Sequence, residues 1–192
     1  MTADPIVTAT IVLAAGESSR FGSPKLAAPV DGRPMLTGLL ETLADHAPKP
    51  RVVVLGAHAE VIGDLIPDDE WSIVINDDHS DGLGSSLRAG LAAVEEADQV
   101  LVILGDLAWL QGEAISRVME HAGDSDAYVV RAFEGEVPGH PLLLRGEALE
   151  IARGHAGEGG MLPHLSELSV ERVECEGLGV ASDVDSIDDL ES

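Results

Sequence analysis

The chain has 192 residues, of which 45% are apolar and 24% charged, the proportions of a globular protein and not of a disordered or fibrous one. Eleven Lys and Arg residues against 35 Asp and Glu residues give a formal net charge of −24. A negative field of this size argues against nucleic acid or an anionic membrane as a partner. The length predicts one domain over residues 1–192.

The charge is distributed unevenly along the chain. Residues 1–51 hold five acids and five bases, whereas residues 52–192 hold 30 acids and six bases. We therefore expect an anionic substrate to approach the first quarter of the sequence. Cys175 is the only cysteine, and no apolar run is long enough to cross a bilayer, so we expect a cytoplasmic protein.

Short β-branched runs alternate with longer Ala- and Leu-rich segments along the chain. The runs are nearly continuous in apolar residues, which is typical of the buried strands of a mostly parallel sheet with helices on both faces. The predicted strands are Thr8–Leu13, Arg51–Leu55, Ser72–Ile75, Gln99–Leu104, Ala127–Arg131, Pro141–Leu144 and Ser169–Cys175. The predicted helices are Pro34–His46, His58–Ile66, Ser85–Ala97, Gly112–His121, Gly146–Arg153 and Met161–Leu168.

Four irregular stretches follow predicted strands, which is where open α/β sheets bind ligands. They are Ala14–Lys25, Asn76–Gly84, Gly105–Gln111 and Glu134–His140. We expect these stretches to share one edge of the sheet.

The stretch after the first strand reads AAGESSRFGSPK and is rich in small residues. Glycine lets backbone N–H groups converge on an anion, and Ser hydroxyls add donors. Lys25, one of two lysines in the chain, and Arg20 place positive charge beside that backbone, which suits a polyphosphate. The glycine spacing matches neither the dinucleotide fingerprint nor the P-loop.

The segment LAAGESSRFGSPKL, continued by PVDGRPML, resembles the signature of the MobA-like nucleotidyltransferases. With Ala15 it is most similar to the molybdenum cofactor cytidylyltransferase branch. The resemblance implies a three-layer Rossmann-like αβα sandwich of the nucleotide-diphospho-sugar transferase type, with Lys25 and Arg20 as catalytic cations. It also implies a nucleotide site formed by Leu13, Ala14, Ala15, Gly16, Ser18, Ser19, Arg20 and Lys25.

A second block, GLGSSLRAG, lies at the predicted start of a helix. Free amides, hydroxyls and the dipole at such an end suit an anion or the edge of a base, although simple capping by Ser85 explains the same pattern. The block resembles a segment that lines the nucleotide site in the family. The resemblance adds Ser85, Ser86 and Arg88 to the nucleotide-binding residues.

Asp106 ends a buried strand, where an unpaired carboxylate is costly without hydrogen bonds or a cation. Oxygen ligands of this kind suit Mg²⁺ bound together with substrate phosphates, and in the family this Asp is a magnesium ligand. Here Leu107 and Ala108 depart from the residues that usually follow it. The segment DVDSIDDL resembles the family's C-terminal motif, which makes Asp183 the second expected metal ligand and leaves Asp185 as an alternative.

Two further segments bear on the acceptor substrate. GEVPGHP resembles a block that lies near the second substrate in relatives, so Gly139 and His140 are acceptor-site candidates; a structural role for His140 is the alternative. The segment 154–160 stands where relatives have a motif ending in Arg, and it contains no basic residue other than His155.

The resemblance predicts transfer of CMP from CTP to a molybdopterin-type acceptor with release of pyrophosphate, and delivery of the product to a molybdoenzyme. Three alternatives stay open. The first is nucleotidyl transfer with another nucleotide, such as GTP, or to another phosphorylated acceptor. The second is an oxidoreductase like nicotine blue oxidoreductase, and the third is a non-catalytic module that binds nucleotide or cofactor.

Overall fold

The computed structural model describes residues 5–18, 21–67, 70–154, 168–184 and 186–190. The strands of the described residues are β1 (Thr8–Ala14), β2 (Pro29–Val30), β3 (Arg33–Pro34), β4 (Arg51–Leu55), β5 (Ser72–Ile75), β6 (Gln99–Leu104), β7 (Val129–Glu134), β8 (Val137–Arg145) and β9 (Val170–Glu174). The α-helices are α1 (Met35–His46), α2 (Ala59–Gly63), α3 (Leu83–Ala92), α4 (Gly112–Asp124) and α5 (Glu147–Gly154).

Seven strands form one sheet in the order β5-β4-β1-β6-β8-β7-β9, and β2 with β3 forms a separate small hairpin. Strand β8 runs antiparallel to both of its neighbours, β6 and β7, while the other recorded pairings in the large sheet are parallel. This mixed, mostly parallel sheet confirms the predicted fold class. The strands β1, β4 and β6 therefore end at one edge, where the sequence predicts the site.

Hydrophobic cores lie on both faces of the sheet because successive strand residues point to opposite sides. In β1, Val12 faces a core that contains α1 and α4, while Ile11 and Leu13 face a core that contains α3 and α5. The continuous apolar runs seen in the sequence therefore reflect burial on both faces, as expected for central parallel strands.

The predicted strands over β4, β5 and β6 have the bounds that the structure shows. The predicted helix from His58 is wrong in length, because α2 is a five-residue turn of helix. Helix α3 begins at Leu83, two residues before the predicted start, after Gly82 adopts a φ of +92° that L side chains rarely adopt. Among the described residues, no helix has the length and apolar character needed to cross a membrane.

The predicted loop over Glu134–His140 is also wrong, because β8 begins at Val137. The sequence signal was ambiguous, since Pro138 and Gly139 are both disfavoured in strands. Gly139 is required here by packing: a Cβ atom would lie 2.2 Å from the Val180 carbonyl oxygen. The predicted helix at Met161 falls almost entirely outside the described residues.

Replacing Leu40 by Ala should lower the free energy of unfolding by about 2–5 kcal/mol, because Leu40 of α1 is fully buried and truncation leaves a cavity. The matched control is Leu83→Ala, since Leu83 is 56% exposed and its truncation should cost well under about 1 kcal/mol. Urea denaturation of both variants measures the difference, and equal losses would contradict this packing.

Candidate functional site

A cleft of about 310 Å³ opens at the sheet edge where β1 and β6 end. Its volume is at the lower end of the range for small-molecule sites. Three of the four predicted irregular stretches contribute to its lining. The lining residues are Leu13, Ala14, Ala15, Gly16, Ser18, Lys25, Leu26, His79, Gly82, Leu83, Ser86, Leu104 and Asp106.

The loop after β1 is held in a folded-back conformation. Ser18 has a φ of +52°, and its Oγ accepts a hydrogen bond from the backbone N–H of Lys25 at 3.2 Å. The His58 Nε2 atom lies 3.0 Å from the Glu17 carbonyl oxygen. A Cβ atom at Gly16 would meet nothing within 4 Å, so this backbone is open for the close approach of a ligand.

Lys25 joins three parts of the chain at the cleft. Its Nζ atom donates hydrogen bonds to Asp106 Oδ2 and to the Val184 carbonyl oxygen, each at 2.6 Å. The Val184 N–H in turn donates to the Asp106 carbonyl oxygen at 3.2 Å. The loop after β1, the end of β6 and the C-terminal segment therefore meet at one ion pair, whose side chains are 15% and 20% exposed.

The second carboxylate oxygen of Asp106 fits a cation. Asp106 Oδ1 is buried and has no hydrogen-bond partner, an arrangement that costs about 1–3 kcal/mol unless a ligand satisfies it. Asp183 is exposed and directly precedes Val184, whose backbone contacts both Lys25 and Asp106; Asp185, the alternative, lies outside the described residues. No group of three or more metal-ligating side chains occurs among the described residues, and Mg²⁺ does not need one when phosphates complete its shell.

An amide network positions the second block of the predicted nucleotide site. Asn76 Nδ2 donates to Ser85 Oγ at 2.9 Å and to Ser86 Oγ at 3.0 Å. Ser85 Oγ also lies 2.8 Å from the carbonyl oxygens of Asp78 and Gly82, so its hydroxyl is used within the loop. Ser86 lines the cleft, and its hydroxyl makes no hydrogen bond as a donor with the described residues.

His79 is a cleft residue that the sequence reasoning missed. Its Nδ1 atom is buried without a hydrogen-bond partner, and its Cβ atom packs so closely on Gly56 that a Cβ there would lie 2.7 Å away. Gly56 therefore has to be glycine, because a Cβ atom there would clash with both Ala15 and His79. The only available signal was the polar character of the loop after β5, which does not distinguish His79 from its neighbours.

The predicted nucleotide-binding residues are only partly brought together. Seven of those described line the cleft: Leu13, Ala14, Ala15, Gly16, Ser18, Lys25 and Ser86. The predicted metal ligand Asp106 lines it as well. Arg88 instead lines a separate cleft with Glu95 and Arg153, because it lies two residues and about 200° around the helix from Ser86. Ser19 and Arg20 lie outside the described residues.

The acceptor-site candidates Gly139 and His140 lie in strand β8, next to β6. The His140 Nδ1 atom lies 3.1 Å from the Val102 carbonyl oxygen. Burial and, to a smaller extent, nearby Arg131 lower the pKa of His140 to about 4, against the raising effects of the Val102 hydrogen bond and of Asp106. His140 is therefore neutral at pH 7; because a carbonyl only accepts, the proton is on Nδ1 and Nε2 is an acceptor.

Comparison with known protein families shows which family the chain belongs to. The profile described as the MobA-like NTP transferase domain matches residues 10–173. The chain belongs to this family. Nicotine blue oxidoreductase from Paenarthrobacter nicotinovorans is 28% identical over 97% of this chain and 95% of that protein. The bifunctional protein GlmU from Paramagnetospirillum magneticum is 36% identical over 74% of this chain, which spans 32% of GlmU.

Solved structures of MobA-like and related proteins share the fold. The Rv0371c homologue from Mycobacterium sp. strain JC1 has a TM-score of 0.82 and 28% identity over 96% of this chain and 93% of that one. Rv0371c from Mycobacterium tuberculosis in complex with manganese has a TM-score of 0.78 and 23% identity, covering 96% of each chain. Molybdopterin-guanine dinucleotide biosynthesis protein A from Archaeoglobus fulgidus has a TM-score of 0.72 and 16% identity, covering 95% of each chain.

The low pKa of His140 predicts a pH dependence of stability in this MobA-like protein. Because the folded pKa of about 4 lies below the unfolded value of about 6.5, the unfolded state binds the proton first. The contribution of His140 is present above pH 6.5 and is lost as the pH falls toward 4, by about 3 kcal/mol in total.

The variant His140→Gln should remove that part of the pH dependence, measured as the difference between the unfolding free energies at about pH 7 and about pH 4. The control is His121→Gln, because His121 is exposed on α4 and should leave the wild-type slope in place. A wild-type slope in His140→Gln would show that this imidazole is not held neutral.

Proposed function

We propose that this protein transfers CMP from CTP to the phosphate of a molybdopterin-type acceptor and releases pyrophosphate, with Mg²⁺ as cofactor and a molybdoenzyme as the recipient of the product. The observation that carries the proposal is the contact between Lys25 and Asp106 in a cleft beside an open loop of glycine and serine. We also take residues 1–192 to act as one domain. Membership of the MobA-like NTP transferase domain family supports nucleotidyl transfer as the reaction class.

The reaction needs positioning and charge stabilisation more than proton transfer. An acceptor phosphate oxygen attacks the α-phosphorus of the nucleotide and forms a new P–O bond, while the bond from that phosphorus to the bridging oxygen of the β-phosphate breaks. The electron pair leaves with pyrophosphate. Because the attacking phosphate is already ionised, no strong general base is required.

Each cleft residue has a distinct part in this reaction. Lys25 is placed to neutralise the negative charge of the β- and γ-phosphates, and its position is maintained by Asp106 and by the Val184 carbonyl. Backbone amides near Gly16 and the hydroxyl of Ser86 supply hydrogen-bond donors that cost no reorganisation when charge develops. The Ala15 side chain and Leu104 form apolar cleft wall.

Asp106 Oδ1 and the neighbouring Asp183 would hold the magnesium ion. When bound, the ion supplies positive charge to the substrate phosphates. Support for a divalent cation comes from the buried, unpartnered Asp106 Oδ1 and from the manganese complex of Rv0371c.

Different observations support the nucleotide and the acceptor. Ala15 within LAAG resembles the cytidylyltransferase branch and supports a cytosine nucleotide. The likeness in fold to a protein named for molybdopterin-guanine dinucleotide biosynthesis supports a molybdopterin acceptor, and that protein's name specifies guanine. GTP or another phosphorylated acceptor is the nearest competing pair within the same chemistry.

Thermal stabilisation tests the nucleotide. A ligand that binds only the folded state raises the melting temperature, so CTP with Mg²⁺ should raise it more than GTP, UTP or ATP does. Omitting Mg²⁺ should reduce the effect. A larger shift with GTP would replace the cytidylyl assignment by guanylyl transfer, and no shift with any triphosphate would overturn the proposed function.

Replacing Lys25 by Ala should remove about 2–4 kcal/mol of transition-state stabilisation. Turnover should therefore fall roughly 30-fold to 1,000-fold. The control is Lys49→Ala, which removes the other lysine; Lys49 is 62% exposed and pairs with Glu70 at the surface. Pyrophosphate release with CTP and the acceptor measures the effect. Unchanged turnover in Lys25→Ala would refute its assignment.

An oxidoreductase is the second candidate, because nicotine blue oxidoreductase matches nearly the whole chain. Reduction by NAD(P)H without any dependence on Mg²⁺ would favour this function. Nucleotide binding without pyrophosphate release, when the authentic acceptor is present, would instead indicate a non-catalytic binding module.

A further inference from the structure

Arg131 is a half-buried cation that lies level with Val102 of β6 in the sheet register, and its guanidinium reaches toward the edge that carries the cleft. It lies on β7, and its Nε donates a hydrogen bond to the Gly139 carbonyl oxygen at 2.9 Å. No carboxylate pairs with it among the described residues, and its two terminal nitrogens make no hydrogen bond there. In a chain with 35 acidic residues, a guanidinium held by one neutral carbonyl is available to an external anion.

Arg172 on the neighbouring strand β9, unlike Arg131, forms ion pairs with carboxylates. Arg172 is the register partner of Arg131 in the parallel pair of β7 and β9. Its terminal nitrogens contact Glu136 and Glu174, and its guanidinium stacks over the Phe133 ring at 4.1 Å. Arg172 is therefore paired with carboxylates, whereas Arg131 has no carboxylate partner in the part of the chain that the structure describes.

Arg131 lies on the other side of β6 from the loop after β1, and neither Arg131 nor His140 is among the residues that line the cleft. In the sheet order, β8 separates β6 from β7, and the Nε contact with Gly139 brings the guanidinium toward β8. His140, adjacent to Gly139, is in turn bonded to Val102 of β6. Asp106 at the end of β6 therefore has Lys25 on one side and the pair of His140 and Arg131 on the other.

We propose that Arg131 binds the phosphate group of the acceptor substrate, with His140 Nε2 beside it accepting a hydrogen bond from the same molecule. This inference rests on the proposed function, because nucleotidyl transfer needs the attacking phosphate on the side of the α-phosphorus opposite to the leaving pyrophosphate. The terminal nitrogens of Arg131 suit a bidentate contact with phosphate. Neutral His140 has no free donor for phosphate and suits a hydroxyl or amine of the acceptor.

In this proposal Arg131 takes the role of the basic residue that segment 154–160 lacks. A cation that is expected on that segment in relatives is absent from this sequence, and Arg131 would place positive charge on the acceptor from a strand instead. We expect the acceptor to be a phosphorylated small molecule and not an uncharged alcohol.

The test uses NMR of the full-length protein with Mg²⁺ and a non-hydrolysable methylene analogue of CTP bound, titrated with inorganic phosphate. The reporters are the Nε–H signal of Arg131 and the ring signals of His140. Both should shift in a saturable way with one dissociation constant. In Arg131→Gln the His140 signals should need at least about tenfold more phosphate, whereas the control Arg172→Gln should behave as wild type.

Several results would overturn the inference. These are the absence of a saturable shift at Arg131 in the wild type, an unchanged His140 titration in Arg131→Gln, or an equal loss in Arg172→Gln. Arg131→Lys, which keeps the charge, should retain part of the affinity and serves if the Gln variant does not fold. If the CTP analogue fails to bind, the proposed function fails. Titration of the Lys25→Ala variant with phosphate, in the absence of any nucleotide, still tests Arg131.

Discussion

The ion pair between Lys25 and Asp106 is the interaction on which the arrangement of the cleft depends. It joins the loop after β1 to the end of β6, and the Val184 carbonyl adds the C-terminal segment to the same ammonium group. Because the pair is mostly shielded from water, removing either partner leaves a charge that the protein has to solvate in another way. A substitution at this pair should therefore affect the stability of the cleft as well as the proposed binding of substrate.

Charge placement explains how so acidic a protein would attract an anionic substrate. The net charge of −24 repels phosphates at a distance, so binding depends on cations held close to the ligand. The loop after β1, which carries Lys25, and β7, which carries Arg131, lie on opposite sides of β6 in the sheet, and this order fits the proposed reaction, in which two phosphorylated molecules approach one another. A divalent cation held by Asp106 between the two phosphorylated substrates would reduce the repulsion between them.

The sheet was predictable because its signal is local. Strands β4, β5 and β6 are short, continuous apolar runs, and burial on both faces produces that pattern in any such sequence. The loop over Ala14–Lys25 was recognisable because its small residues and two cations are contiguous. The predicted strand is shorter than β8, because the Pro and Gly near the start of β8 indicate a turn. The packing of Gly139 against Val180, which overrides this signal, involves residues 41 positions apart.

The sequence alone determined the fold class and the loop that lines the cleft, since each depends on neighbouring residues or on a contiguous motif. It identified Lys25 and Asp106 separately as site residues, and their ion pair became visible only in the structure. Only the tertiary structure decided which side chains meet. It directed Arg88 into a different cleft, placed His79 against Gly56 in the cleft wall, and left Arg131 without a carboxylate partner among the described residues. The physical reason is that side-chain direction and the choice of partner depend on strand order and helix rotation, which bring together residues far apart in the chain.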